Sequence, residues 1–308
     1  MKTILLGKSS LRSSRLAYGC WRIAPTEEAG RTSGRAAILA AVEAGYTLFD
    51  HADIYCDGRA EQAFGAVLRE VPELRARLVI ATKCGIRKPG EPSPDAPVRY
   101  DFSRSHIVWS CEQSLRRLGI ETIDLYQLHR PDWLMNPEEV AAAFAQLREQ
   151  GKVREFGVSN FRPSQVTALQ QALPFPLAVN QVEISLACLG CFNDGTLDQC
   201  LAERITPLAW SPLGGGLLAD GARKLLAWQE RYDVRRIVAE LDAQARALGT
   251  TRGNVALAWL LKHPAGIVPL VGSTKPEKIR EAAGAEAVEL TREQWYRLLE
   301  ASLGAPLP

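Results

Sequence analysis

No apolar run in this sequence approaches the ~20 residues needed to cross a bilayer as a helix. The opening stretch, Met1-Lys2-Thr3-Ile4-Leu5-Leu6-Gly7, holds only three consecutive apolar residues, too few for a secretory h-region. An excess of one charge is missing too. Lysine and arginine total 37 against 35 acidic residues, a net of +2, and the basic residues form no stripe or tail, which argues against a nucleic-acid surface. Histidine is scarce: His51, His106, His129 and His263 lie far apart and form no HxH or HExxH pair, so a metal-dependent barrel hydrolase or isomerase loses its ligands. The seven cysteines are an odd number without a repeating spacing, and Cys188-Leu-Gly-Cys191 has no second pair beside it. A reduced cytoplasmic protein without zinc is the expectation. No strand-like run leads into GxGxxG, so a Rossmann fold is not indicated.

What the chain does have is apolar material. Hydrophobic residues make up 46% of 308 positions, and a closed α/β barrel uses this length as one domain, residues 1–308. Eight strand-like runs alternate with amphipathic stretches. They are Arg15–Tyr18, Thr47–Phe49, Leu78–Thr82, Ile123–Leu128, Val153–Val158, Leu177–Asn180, Thr206–Ala209 and Gly266–Leu270. Helices are predicted between them, among others over Arg35–Ala44, Arg104–Leu118, Pro137–Gln150 and Val234–Leu248, with Gly45, Gly119 and Gly151 where a left-handed C-cap is wanted. This alternation predicts a (β/α)8 TIM barrel. Lys2–Leu6 suggests a short N-terminal hairpin, and Thr291–Leu299 an additional C-terminal helix with Thr291 as N-cap. The connections Gly85–Phe102, Leu186–Thr196 and Ser211–Asp233 follow strands and would shape a pocket on the catalytic rim.

The polar residues that punctuate these runs carry the functional signal. Asp50 closes Tyr46-Thr47-Leu48-Phe49, Tyr55 lies one short loop beyond it, Lys83 closes Leu78–Thr82, and His129 closes Ile123–Leu128. An acid, a phenol, an amine and an imidazole at successive strand ends make a candidate active site, because barrels hold their chemistry at the C-terminal ends of strands. Later strands end in uncharged groups and one flat ring: Ser159-Asn160, Asn180-Gln181, Trp210-Ser211 and Gly272-Ser273-Thr274. These suit a carboxamide and a planar ring better than a metal.

The chain resembles the aldo-keto reductase superfamily in its motifs and their order. They are Asp50-His-Ala-Asp-Ile-Tyr55 with Glu61 and Gly65, Thr82-Lys83, Leu128-His129-Arg-Pro131, Gly151–Asn160, Asn180-Gln181, Ala209-Trp-Ser-Pro-Leu213 and Pro269–Thr274. The pattern is nearest to bacterial oxidoreductases of uncertain substrate. This resemblance implies reduction of aldehydes or ketones by NADPH, with NADP+ as the product form. It implies Tyr55 as general acid, Lys83 lowering the pKa of the phenol, Asp50 anchoring Lys83, and His129 aiming the substrate oxygen. For the cofactor it implies Ser159, Asn160 and Gln181 on the carboxamide, Trp210 stacked on the ring, and Ser211, Pro212, Leu213, Gly214 and Gly215 around the pyrophosphate. Gly272, Ser273, Thr274, Lys275 and Lys278 would receive the 2′-phosphate, and Glu281 the adenine, although Ala282 stands where relatives commonly carry asparagine. Trp21 is a candidate pocket wall. Cys56 replaces a common glycine. His51 is expected to be structural, and Trp109, Trp259 and Trp295 to be packing residues. The expected partner is a small carbonyl compound; the alternative is a regulatory or sensor protein that binds NADPH with little turnover.

Overall fold

Eight parallel strands pair each with the next in chain order, and the eighth returns to the first. They run Ala17–Gly19, Leu48–Asp50, Val79–Cys84, Ile123–Leu128, Val153–Ser159, Val179–Glu183, Thr206–Trp210 and Val268–Val271. Leu270 and Val271 face Ala17 and Tyr18, which closes the barrel. This computed structural model describes residues 1–220, 229–230 and 233–308. Positions 221–228 and 231–232 of the predicted Ser211–Asp233 rim loop lie outside the described residues. The barrel is the predicted (β/α)8 architecture.

The barrel strands read as near-continuous apolar runs because helices cover their outer faces and side chains fill the interior. Ala17, Leu48, Val79, Ala81, Leu125, Val179, Leu208 and Val268 form the interior cluster. Leu6 and Leu11 join it from below, on the turn of the antiparallel hairpin Thr3–Leu5/Arg12–Ser14. That turn presses against the strand starts. Gly7 has φ +59°, its N–H donates to Thr206 Oγ1 at 2.8 Å, and a Cβ there would sit 2.5 Å from the Ala178 carbonyl oxygen. Only glycine meets both demands.

Helix Arg104–Leu118 shows why the outer layer forms where the sequence puts it. Ser103 Oγ accepts the His106 amide, Gly119 closes the helix at φ +68°, and Ile107, Cys111, Leu115 and Leu118 bury one stripe. The C-terminal helix Arg292–Leu303 starts at Thr291 with a capping box. It lays Trp295 on Trp259 with ring centroids 4.9 Å apart, and each indole N–H donates to the other's backbone carbonyl. Trp109 departs from expectation. It is 55% exposed and stacks on the His106 ring at 5.9 Å, because it lies off the helix's apolar stripe.

Strand ends also differ from the sequence reading. Asp50, Lys83, Ser159 and Trp210 lie within their strands, not beyond them. Backbone pairing continues past the last apolar side chain, since a ladder needs only N–H and C=O groups. The consequence is rigidity: these four residues are held by the sheet itself.

Candidate active site

Asp50 ends the second strand and Lys83 is the last residue but one of its neighbour, and both are almost completely buried. Lys83 Nζ donates to both Asp50 carboxylate oxygens and to the His51 carbonyl, each at 2.7 Å, and lies 3.2 Å from the Tyr55 hydroxyl. Burial pushes the Lys83 ammonium down, but Asp50 and Tyr55 outweigh it, so its pKa is held above the usual lysine value. Gln181 Nε2 donates to Asp50 Oδ1 at 2.8 Å and tethers the carboxylate from across the barrel. A buried ion pair survives only when its remaining lone pairs and protons are satisfied, and here they are.

Tyr55 comes from the loop after Asp50. Burial raises its pKa more than Lys83 lowers it, and the net direction is upward. The expectation of a lowered phenol pKa is therefore corrected: Lys83 opposes the burial shift without reversing it. The hydroxyl stays protonated at neutral pH. The next two residues, Cys56 and Asp57, have φ +51° and +60°. That left-handed backbone accounts for glycine being common where Cys56 stands. Cys56 Sγ donates to the Trp21 carbonyl at 3.1 Å and ties the Tyr55 loop to the first strand's end.

His129 packs edge-on to Tyr55, ring centroids 5.8 Å apart. Burial and the cations Lys83 and Arg130 depress its pKa well below the usual imidazole value, so the ring is neutral. Its Nδ1 is buried without a partner among the described residues, which leaves Nε2 as the ring nitrogen open to the cavity. His51 behaves differently. Its ring is fully buried on Phe64 at 4.7 Å, its pKa pushed down to about 3, and only its carbonyl reaches Lys83.

A cavity of about 880 Å³ joins these groups to the predicted cofactor residues, within the size range of ligand pockets. It is lined by Tyr55 and His129, then by Asn160, Gln181 and Trp210, and farther out by Gly215, Gly272, Ser273, Lys278 and Glu281. Trp21, Ser159, Ser211, Pro212 and Leu213 also face it. Gly214, Thr274 and Lys275 do not. The Gly214 carbonyl accepts from Gln229, and Lys275 occupies the exposed N-cap position of helix Pro276–Ala283. Lys278 enters the wall already paired, with Asp220 at 2.7 Å and Glu281 at 2.9 Å.

The residues expected to meet the carboxamide are partly committed to one another. Asn160, at φ +63°, uses both amide protons on the His129 carbonyl and Ser159 Oγ, and its Oδ1 accepts the Trp210 indole at 2.9 Å. Arg130 lies 5.6 Å over the Trp210 ring. The spare capacity is one lone pair on Asn160 Oδ1, plus one N–H and the carbonyl oxygen of Gln181. Both a carboxamide donor and acceptor can be met there, so the residues fit a nicotinamide head group. Sequence reading missed Arg22, Ile54, Ile86, Arg130, Glu183 and Asn254 in the wall. Only Ile54 and Arg130 carried a signal, as neighbours of Tyr55 and His129 within the family motifs. Ile86 gets there through a short hairpin, Ile86–Arg87/Arg99–Tyr100, within the predicted rim loop. Among the described residues no three His, Cys, Asp or Glu side chains are placed to hold a metal ion, and no helix is long and apolar enough to cross a membrane.

Comparison with known proteins agrees with this geometry. The chain is 43% identical to "6-dehydroglucose reductase" of Novosphingobium aromaticivorans, over 98% of this chain and 96% of that one. It is 42% identical to "Oxidoreductase YdhF" of Escherichia coli, over 96% and 95%. Among solved structures, the thermostable aldo-keto reductase Tm1743 superposes with a TM-score of 0.80 at 26% identity, covering 98% of this chain and 100% of that one. The family model "Aldo/keto reductase family" matches residues 15–302. The chain that builds this barrel and buries this Asp50–Lys83–Tyr55 cluster belongs to the aldo/keto reductase family, whose members are oxidoreductases.

Proposed function

We propose that this protein reduces an aldehyde or ketone to the alcohol with NADPH, using Tyr55 as the proton donor. The observation that carries the reading is the Tyr55 hydroxyl 3.2 Å from an ammonium group that a buried carboxylate holds in place. Bound NADPH supplies the hydride. As charge grows on the carbonyl oxygen, the Tyr55 O–H passes its proton to that oxygen, and the carbonyl becomes the alcohol. The phenolate left behind faces Lys83, which has three other acceptors fixing it and cannot swing away. Positive charge fixed beforehand needs no reorganisation at the moment of transfer. Neutral His129 donates from Nε2 to the same oxygen and turns it toward Tyr55.

Ser159, Asn160 and Gln181 would hold the carboxamide and Trp210 the ring face. Trp210 is suited to the task because its indole N–H is anchored on Asn160. Lys278 would read the 2′-phosphate by exchanging one of its carboxylate partners. A cytoplasmic location and a small carbonyl partner belong to the same proposal. Its test is NADPH oxidation with a panel of aldehydes, run beside a fluorescence titration of NADPH. Turnover in the parent and its loss in Tyr55→Phe, with cofactor affinity kept, are expected. Tight NADPH binding without turnover of any aldehyde would leave a binding protein and overturn the proposal.

A further inference from the structure

Two arginines in the cavity wall have no counter-charge among the described residues. Arg22 follows Trp21 at the end of the first strand, and Arg130 follows His129 at the end of the fourth. Neither side chain makes a hydrogen bond or ion pair among the described residues. Each rests on an aromatic ring instead: the Arg22 guanidinium lies 5.1 Å from the Trp21 centroid, and Arg130 lies 5.6 Å from that of Trp210. The contrast with other arginines is plain. Arg75, Arg117, Arg154 and Arg252 all hold carboxylates at 2.6–3.0 Å. Glu183 also lines the cavity.

A cation–π contact matters chemically because the ring accepts no N–H hydrogen bond in place of an oxyanion. The guanidinium N–H groups, which have no hydrogen-bond partner among the described residues, keep their match to a carboxylate or phosphate. Both arginines also line the same cavity as Tyr55 and His129. Trp21 is tied to Cys56, the neighbour of Tyr55, and Arg130 is the neighbour of His129. Resting on the reading of this cavity as a carbonyl reductase site, we infer that Arg22 and Arg130 recognise an anionic oxyacid group on the substrate. The substrate class is an aldehyde or ketone carrying a carboxylate or phosphate, its carbonyl at Tyr55 and its charge held between the arginines.

A matched series tests this: butanal, 4-oxobutanoate and 4-oxobutyl phosphate, with a neutral polyhydroxy aldehyde as a fourth arm. In the parent enzyme kcat/KM for at least one anionic member is expected to exceed that of butanal tenfold or more, which is about what one charge-assisted hydrogen bond supplies. The carboxylate and phosphate arms decide which oxyacid the pair prefers. Raising salt from 20 to 500 mM should raise KM for the anionic member more than for butanal, because both guanidinium groups are solvent-accessible. Arg130→Gln and Arg22→Gln should each lower kcat/KM for the anionic member at least fivefold more than for butanal. A second readout avoids turnover: 4-hydroxybutyrate and 4-hydroxybutyl phosphate titrated by tryptophan fluorescence should bind the parent more tightly than either variant. Equal kcat/KM for butanal and both anions would overturn the inference while leaving the reductase reading intact. So would a neutral polyhydroxy aldehyde that outperforms both anions and loses equally in the variants, since the arginines would then serve hydroxyl groups. No turnover of any arm sinks the reductase reading instead, and in that event the titrations alone decide whether the arginines bind anions.

Discussion

The cavity has a lysine–carboxylate pair at each end, and both pairs close to 2.7 Å. At the inner end Lys83 and Asp50 are sealed from water. At the outer end the Lys278 side chain is 35% exposed, and its partner Asp220 is 66% exposed. Equal distances do not mean equal roles. A charge stripped of water must keep its partner, whereas a solvated pair is worth about 0–1 kcal/mol and gives way to a better ligand. The inner pair is therefore suited to holding a proton donor in one place. The outer pair is suited to exchange, with Asp220 or Glu281 yielding to an incoming phosphate.

The sharpest way to break this comparison is at Lys83. Lys83→Met leaves the Asp50 carboxylate buried without its cation, which should cost about 3–5 kcal/mol of stability and remove most turnover. Urea unfolding and NADPH oxidation read the two effects separately. A variant as stable and as active as the parent would mean the inner pair is no more than the outer one.

Tyr55→Phe probes the chemistry with the ion pair kept. Turnover should fall about a hundredfold or more, with little change in NADPH affinity. Because burial holds the phenol's pKa up, reduction by the parent should show no loss at pH 6–8 from ionisation of this group. A descending limb in that range that disappears in Tyr55→Phe would contradict the upward direction.

Lys278→Ala should weaken NADPH roughly tenfold, toward the low end of what a charge-assisted hydrogen bond contributes because the site is solvated. NADH binding should be almost untouched, and unfolding stability should change by less than about 1 kcal/mol. Equal losses for the two cofactors would show that the lysine does not read the phosphate.

The smallest effect concerns a motif member to which the sequence reading gave no role. Asp53 lies between Asp50 and Tyr55, with Oδ2 accepting from Ser110 and Oδ1 buried without a partner among the described residues. Burial raises its pKa from 3.8 to about 7. The unfolded chain ionises first, so this residue's contribution to stability is complete below pH 4, declines between about 4 and 7, and is flat above. Asp53→Asn should flatten that part of the pH–stability curve while leaving the inner pair in place. A slope over pH 4–7 identical to the parent's would refute the shifted carboxyl.

Much of the barrel was legible because its strands are buried on both faces and its helices on one, and each condition leaves a periodic signature. The cap residues Thr291, Ser103 and Gly119 stand where local backbone chemistry demands them. Legibility weakened at the sixth strand, read as Leu177–Asn180 but running Val179–Glu183. Leu177 and Ala178 are buried core residues before the ladder begins, so apolar character alone misplaces it. Glu61 and Gly65 were visible only as motif members. In the structure Glu61 ties Thr82 Oγ1 to Arg117, and Gly65 lets its helix approach the Leu118 carbonyl oxygen, which a Cβ would meet at 2.6 Å.

The sequence by itself determined the alternation of strands and helices, the hairpin, the final helix and the strand-end residue types, because these depend on neighbours along the chain. Tertiary structure alone decided the rest. It set the direction of the Tyr55 pKa, since burial and Lys83 pull oppositely and only their distances and enclosure fix the winner. It filled the Asn160 amide with partners from its own strand end and two others, and it paired Lys278 with carboxylates. It also left Arg22 and Arg130 without carboxylate partners among the described residues. Composition balances charge over the whole chain, but a binding site depends on which charges the fold leaves unpaired.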